Sequence, residues 1–324
     1  MQTCQDSHTG LAYTLLTKGT YPCRKFYFSM ESWTTDDQWI LYHEDRPGAS
    51  ALHKVHQETG EDVLLAENAP FFGSARRRDI GYWCADDRLI ELDIRTGEQR
   101  AVAELPRGLR AQGHYTTSLS GLVVNTYKEA DGINAVVVTN PKTGQSDVCY
   151  RTDTPLGHGQ FCPGDDDTLF FVHETGGDAL QRMWMLTLSQ RIARPFFVEQ
   201  EGDWITHETW DAQGEEVSFI RWPHALMAGM KNGQSFRTIA RGEYHHAAPN
   251  AAKTHYAADR TSQGTILLLD AASGAERVLL TNQKALVGED HCHPSFNRAG
   301  TKIAFSAPGG GICQVGMLDL AQVL

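Results

Sequence analysis

The chain has 324 residues, 41% of them hydrophobic and 21% charged, which is the balance of a globular protein with room for one large or two ordinary domains. A formal net charge of −11 argues against a nucleic-acid surface and against a face built for long polyanions, but it leaves room for a small acidic ligand in one basic pocket. No apolar run approaches the roughly eighteen residues of a membrane span, and Met1 to Asp6 lacks the basic and apolar regions of a signal peptide, so a cytoplasmic protein without membrane contact is expected.

In chain order, the first strand-like segment is Gly10 to Leu16. After it, two kinds of unit alternate. In one, a polar turn leads into an alternating strand: Trp33 to Tyr42, Pro163 to Val172, Asp211 to Ile220 and Phe296 to Phe305. In the other, Asp or Asn precedes a Thr/Ser-Gly turn between two short apolar runs, as in Asp93-Ile94-Arg95-Thr96-Gly97, Asn140-Pro141-Lys142-Thr143-Gly144 and Asp270-Ala271-Ala272-Ser273-Gly274. His56-Gln57-Glu58-Thr59-Gly60 is a fourth such turn, with His in place of the acid.

The units recur about every forty to fifty residues, the period of four-stranded propeller blades. An all-β fold follows: a seven-bladed β-propeller forming a single domain over 1–324, with blades near 33–65, 72–103, 115–150, 159–198, 207–240, 246–280 and 293–321. The N-terminal segment is left to complete the last blade and close the ring. Arg76-Arg77-Arg78 reads as a solvated turn. Seven scattered cysteines without a CxxC suit reduced thiols.

Chemistry concentrates in histidines at blade starts. His291 and His293, one residue apart, point to the same side if extended and offer two imidazoles to one ion. Alternation turns Cys292 away, toward core packing. His207 and the pair His245 and His246 also precede blades, which favours a metal site over satisfied inner-strand residues. Arg182, next to Met183 and Trp184, is oddly placed for a surface charge. Either its fork holds a ligand carboxylate or it is a structural partner of Glu174 or Asp178.

Leu156-Gly157-His158, Pro163-Gly164-Asp165-Asp166, His173-Glu174, Arg182-Met183-Trp184, Thr206-His207-Glu208, His246 and His291-x-His293-Pro294-Ser295-Phe296 together resemble the oligogalacturonate lyases. The likeness extends more weakly to Gln5 through Gly10 and Cys23 through Phe28. The family consists of propeller-fold polysaccharide lyases that degrade short pectin fragments by β-elimination. The resemblance implies a divalent ion, usually manganese, on His246, His291 and His293, with His207 as the base and Arg182 assisting at the substrate. His158, His173 and Lys128 are the further candidates for contact with a small acidic oligosaccharide.

These roles make chemical sense. The C5 proton of a uronic acid is too weakly acidic to leave until the adjacent carboxylate is neutralised, which a metal achieves as a Lewis acid. An imidazole is then matched to removing it near neutral pH.

Two departures from the family pattern stand out. Gly288 occupies the position of an expected fourth ligand, a glutamine, leaving water, Asp290 or Gln283 as substitutes. The segment after Lys128 passes to Ile133 without a long excursion. Two alternatives stay open: a lyase for another uronate-containing oligosaccharide, or a non-catalytic TolB-like binding propeller. Oligomeric state, the number of sugar subsites and the choice between His245 and His246 are not readable from sequence.

Overall fold

The computed structural model describes residues 1–175, 180–283 and 291–324; Asp178, Gly288, Glu289 and Asp290 lie outside the described residues. Those described form seven successive antiparallel sheets and, apart from two short 3-10 turns, no helix. In chain order the sheets begin at Cys23–Lys25, Gly73–Ser74, Arg110–Ala111, Leu156–Phe161, Trp204–Trp210, Ala247–Pro249 and Ser295–Phe296.

The last sheet is completed by the other end of the chain. Ala12–Leu15 pairs with Ile312–Asp319, placing Thr14 opposite Met317, and Gln2–Gln5 pairs outside it. Seven such sheets, the last shared by both chain ends, are the architecture of a seven-bladed β-propeller closed by an N-terminal strand.

The turns show why the sequence folds this way. In the second sheet, the Asp93 carboxylate accepts the backbone N–H groups of Arg95 and Thr96 at 2.9 Å each, and the Asp93 carbonyl accepts that of Gly97. Gly97 sits at φ 78°, where a side chain would be strained. Asp270 repeats the arrangement with Ser273 and Gly274. At the odd turn His56 substitutes for the acid, its Nδ1 accepting the N–H groups of Glu58 and Thr59 at 3.2 and 3.3 Å. Each turn therefore reads as a donor count satisfied by one acceptor side chain.

The middle strands are apolar on both faces because neighbouring sheets stack against each. Leu169, Phe170, Phe171 and Val172 are all fully buried in consecutive positions. Apolar clusters join side chains of the third and fourth sheets around Leu156, Phe171 and Leu186, and of the sixth and seventh around Leu268, Phe296 and Phe305.

The described residues group into two compact units: Met1–Asn68, Ser218–Ala228 and Arg237–Leu324 in the first, and Ala69–Val217 with Gly229–Phe236 in the second. In each, the opening strands of adjacent sheets approach one another, Ala247–Pro249 beside Ser295–Phe296 in the first and Leu156–Phe161 beside Trp204–Trp210 in the second. The strand Val123–Lys128 turns straight back into Asn134–Asn140, with Lys128 opposite Asn134. No helix among the described residues is long and apolar enough to cross a membrane.

Candidate active site

In the first unit, His246, His291 and His293 converge. One ligand atom from each lies within 4.8 Å of the others, and the His246 and His293 ring centroids are 4.4 Å apart. His246 stands just before Ala247–Pro249, and the pair just before Ser295–Phe296, so adjacent opening strands deliver all three.

A buried carboxylate orients His246. Its Nδ1 lies 3.1 Å from both Asp259 oxygens and its backbone N–H donates to the same group at 2.9 Å. With Nδ1–H donating to Asp259, Nε2 is left to bind a cation, the carboxylate–histidine arrangement common behind metal ligands. Burial pushes the Asp259 carboxyl up to about 6, against the pull of the His246 N–H and the nearby His245 and His291. Burial likewise lowers His245, favouring its neutral form.

Aromatic rings pack against the imidazoles. Tyr27 meets His293 edge-on at 4.8 Å and Phe28 packs on His246 at 5.1 Å. Cys292 turns away: it is 3% exposed in the apolar cluster and its thiol donates to the Gln283 carbonyl at 3.0 Å. Gln283 itself donates from its amide to the Thr281 carbonyl. His245 ring contacts run to Trp222, His246 and His291.

In the second unit, Arg182 is 4% exposed and spans two carboxylates. Nε donates to Glu208 Oε1 at 2.6 Å, while Nη1 and Nη2 donate to Glu174 at 3.0 and 3.2 Å. The fork of Arg182 is thus taken up by Glu174, one of the partners expected if the arginine is structural. Burial alone would lower the Arg182 pKa, but Glu208 and Glu174 raise it; conversely burial would raise that of Glu208, and the Arg182 charge with the His158 bond holds it well below the usual range.

His158 Nδ1 completes the group, 3.1 Å from Glu208 Oε2. Its backbone is at φ 49°, in a β-bulge where Gly157 pairs with Val172 and Gln160 with Phe170. His207 precedes Glu208 on Trp204–Trp210, half-buried at φ 55°. His293 is at φ 46°. Left-handed non-glycine residues cluster at functional sites, and three candidate histidines share that conformation.

The remaining candidates are His173 and Lys128. The His173 ring packs on Trp184 at 5.1 Å and beside Phe171, with only its backbone N–H reaching the Arg182 carbonyl. Lys128 is exposed at its strand end.

Sequence reading missed four residues. Glu208 and Asp259 are the buried carboxylates behind the histidines, and Tyr27 packs against His293. His114 precedes Thr116–Thr117, donating from Nδ1 to the Phe72 carbonyl at 2.9 Å, with its pKa lowered by burial and further by nearby His158 against that bond. Gly113-His114 repeats the Gly-His pair of Gly157-His158, which was the available signal.

Residues 125–228 match a family model described as oligogalacturonate lyase. The oligogalacturonide lyase of Pectobacterium atrosepticum is 23% identical over 245 residues, covering 68% of this chain and 63% of that protein. The chain therefore spans less than two thirds of the curated relative it matches.

Among solved structures, an oligogalacturonate lyase from Vibrio parahaemolyticus superposes with a TM-score of 0.88 at 18% identity, over 98% of this chain and 96% of the other. An oligogalacturonate lyase in complex with manganese also gives 0.88, at 20% identity over 98% and 95%. The family model and the curated relative thus show the resemblance to oligogalacturonate lyases that the motifs carry, and the solved structures show a common fold.

Proposed function

We propose that this chain is a metal-dependent lyase that cleaves short uronic-acid oligosaccharides of the oligogalacturonate type by β-elimination. The observation that carries the reading is the convergence of His246, His291 and His293, with His246 turned by Asp259.

The donor set fits a divalent ion. Three imidazole ligand atoms sit close enough to share one centre, and a carboxylate fixes the tautomer of His246. The solved neighbour bound to manganese makes that ion the first choice. When bound, it supplies Lewis-acid neutralisation of the substrate carboxylate beside C5.

His207 is assigned the base, because imidazole suits proton removal near neutrality. Arg182 is assigned to assist at the substrate by holding Glu208 and, through it, His158 in place. Substrate contact is assigned to Lys128, which is exposed, and to His158 and His173, which are partly exposed. The C5–H and C4–O4 bonds break and a C4=C5 double bond forms, giving an unsaturated uronate without consumption of water.

The test is direct. Digalacturonate with manganese should yield the ultraviolet absorbance of the conjugated product, and His291→Ala should abolish it. Silence across a panel of uronides removes the reading. A glucuronate-containing oligosaccharide is the second candidate substrate, favoured by the direct turn after Lys128, and the same panel decides it.

A further inference from the structure

We propose that His158 is a second catalytic imidazole, the group that hands a proton to the departing glycosidic oxygen. This rests on the lyase reading above and deepens it by assigning the acid half of the elimination.

The geometry of the ring carries the inference. Nδ1 is anchored 3.1 Å from Glu208 Oε2, and Glu208 is fully buried and held from its other oxygen by Arg182. Nε2 lies 3.6 Å from Glu174 Oε2, whose side chain is 41% exposed. The anchored nitrogen thus meets a fully buried carboxylate and the other lies near a partly exposed one. Nδ1 hydrogen-bonds to Glu208, and in the imidazolium form Nε2 is a donor as well. The ring itself is 27% exposed, reachable by a ligand.

The backbone is built to present it. The bulge inserts an extra residue at this point and re-aims the side chain, at the cost of a left-handed conformation. Two glycines flank it where space is tight: a Cβ at Gly157 would lie 3.1 Å from Glu174 Oε2, and one at Gly159 would lie 3.3 Å from Thr126 Cγ2. His207 occupies the opening strand of the next sheet with the same left-handed backbone. Two adjacent sheets of one unit therefore each present an imidazole by the same device.

A sugar alkoxide is a poor leaving group, so the elimination gains from an acid at O4. The C5–H bond breaks and its proton goes to His207, while its electron pair becomes the second C4=C5 bond. The C4–O4 bond breaks, its pair stays on O4, and O4 takes the proton from His158 Nε2. One imidazole gains a proton as the other loses one, and exchange with water resets both.

The experiment compares two leaving groups. On digalacturonate, His158→Gln should lower kcat by about 10²-fold or more, the usual range for a lost general acid. On 4-O-(4-nitrophenyl) galacturonate, whose phenolate departs unprotonated, the same variant should stay within about tenfold of wild type. Equal losses on both overturn the assignment. His207→Ala should lose rate on both. If the variant does not fold, a series of 4-O-aryl galacturonates on the unaltered enzyme decides: weak dependence on leaving-group acidity is expected, and steep dependence overturns it. A wild type inactive on every uronide instead defeats the lyase reading itself.

Discussion

The histidine cluster of the first unit gathers three imidazoles around one buried carboxylate and two aromatic rings, whereas the Arg182 cluster of the second sets one guanidinium between two carboxylates. The first is rich in lone pairs and short of positive charge; the second already contains its own cation. One is therefore completed by something added, and the other is satisfied as it stands.

The largest effect that separates them is on rate. His207→Ala should cost about 10³-fold in kcat with the melting temperature nearly unchanged. A rate within tenfold of wild type would remove His207 as the base.

Arg182→Ala should do the reverse in stability, costing about 3–5 kcal/mol in urea titrations by leaving two carboxylates without their cation. Glu208→Gln tests the same cluster by pH. Because the folded Glu208 carboxyl is held well below its ordinary value, its contribution is complete above about pH 4.5 and disappears as pH falls through the lower folded value. The gap between wild type and variant should be widest at neutrality and narrow in acid.

Manganese should stabilise the wild type by about 2.7 kcal/mol at a hundredfold excess over Kd. His293→Ala should lose this gain and Lys128→Ala should keep it. Equal stabilisation of all three would place the ion elsewhere.

A separate effect concerns Lys25, on the strand Cys23–Lys25. Burial lowers its pKa to about 7, with Glu31 opposing, and its ammonium donates to the Phe26 carbonyl. A lowered lysine pKa makes folding least favourable below the folded value and improves it as pH rises toward the unfolded one. Lys25→Met should therefore raise the melting temperature more at pH 6 than at pH 10.

The fold was legible because its signals are local. A turn acceptor and a glycine recur within five residues, and even the His56 variant performs the same bonding as Asp93. The metal candidates were partly legible for a related reason: the histidine groups 245–246 and 291–293 each stand just before a strand start, while the choice of His246 over His245 came from the family resemblance alone. What escaped was long-range. Asp259 lies on His255–Arg260, thirteen residues beyond His246, and nothing in its neighbours marks it as the acceptor for that ring. Arg182 was left between two roles because Glu208, twenty-six residues away, is the partner that decides its burial. The bulge at His158 was invisible because Gly-His-Gly reads equally well as a plain strand.

The left-handed backbones of His158, His207 and His293 have an evolutionary corollary. Glycine would relax each position by roughly 1 kcal/mol, so a lineage no longer selected for its chemistry gains stability by discarding these side chains first. A descendant that keeps the propeller and shows glycine at all three would record that history, and its turns would look untouched.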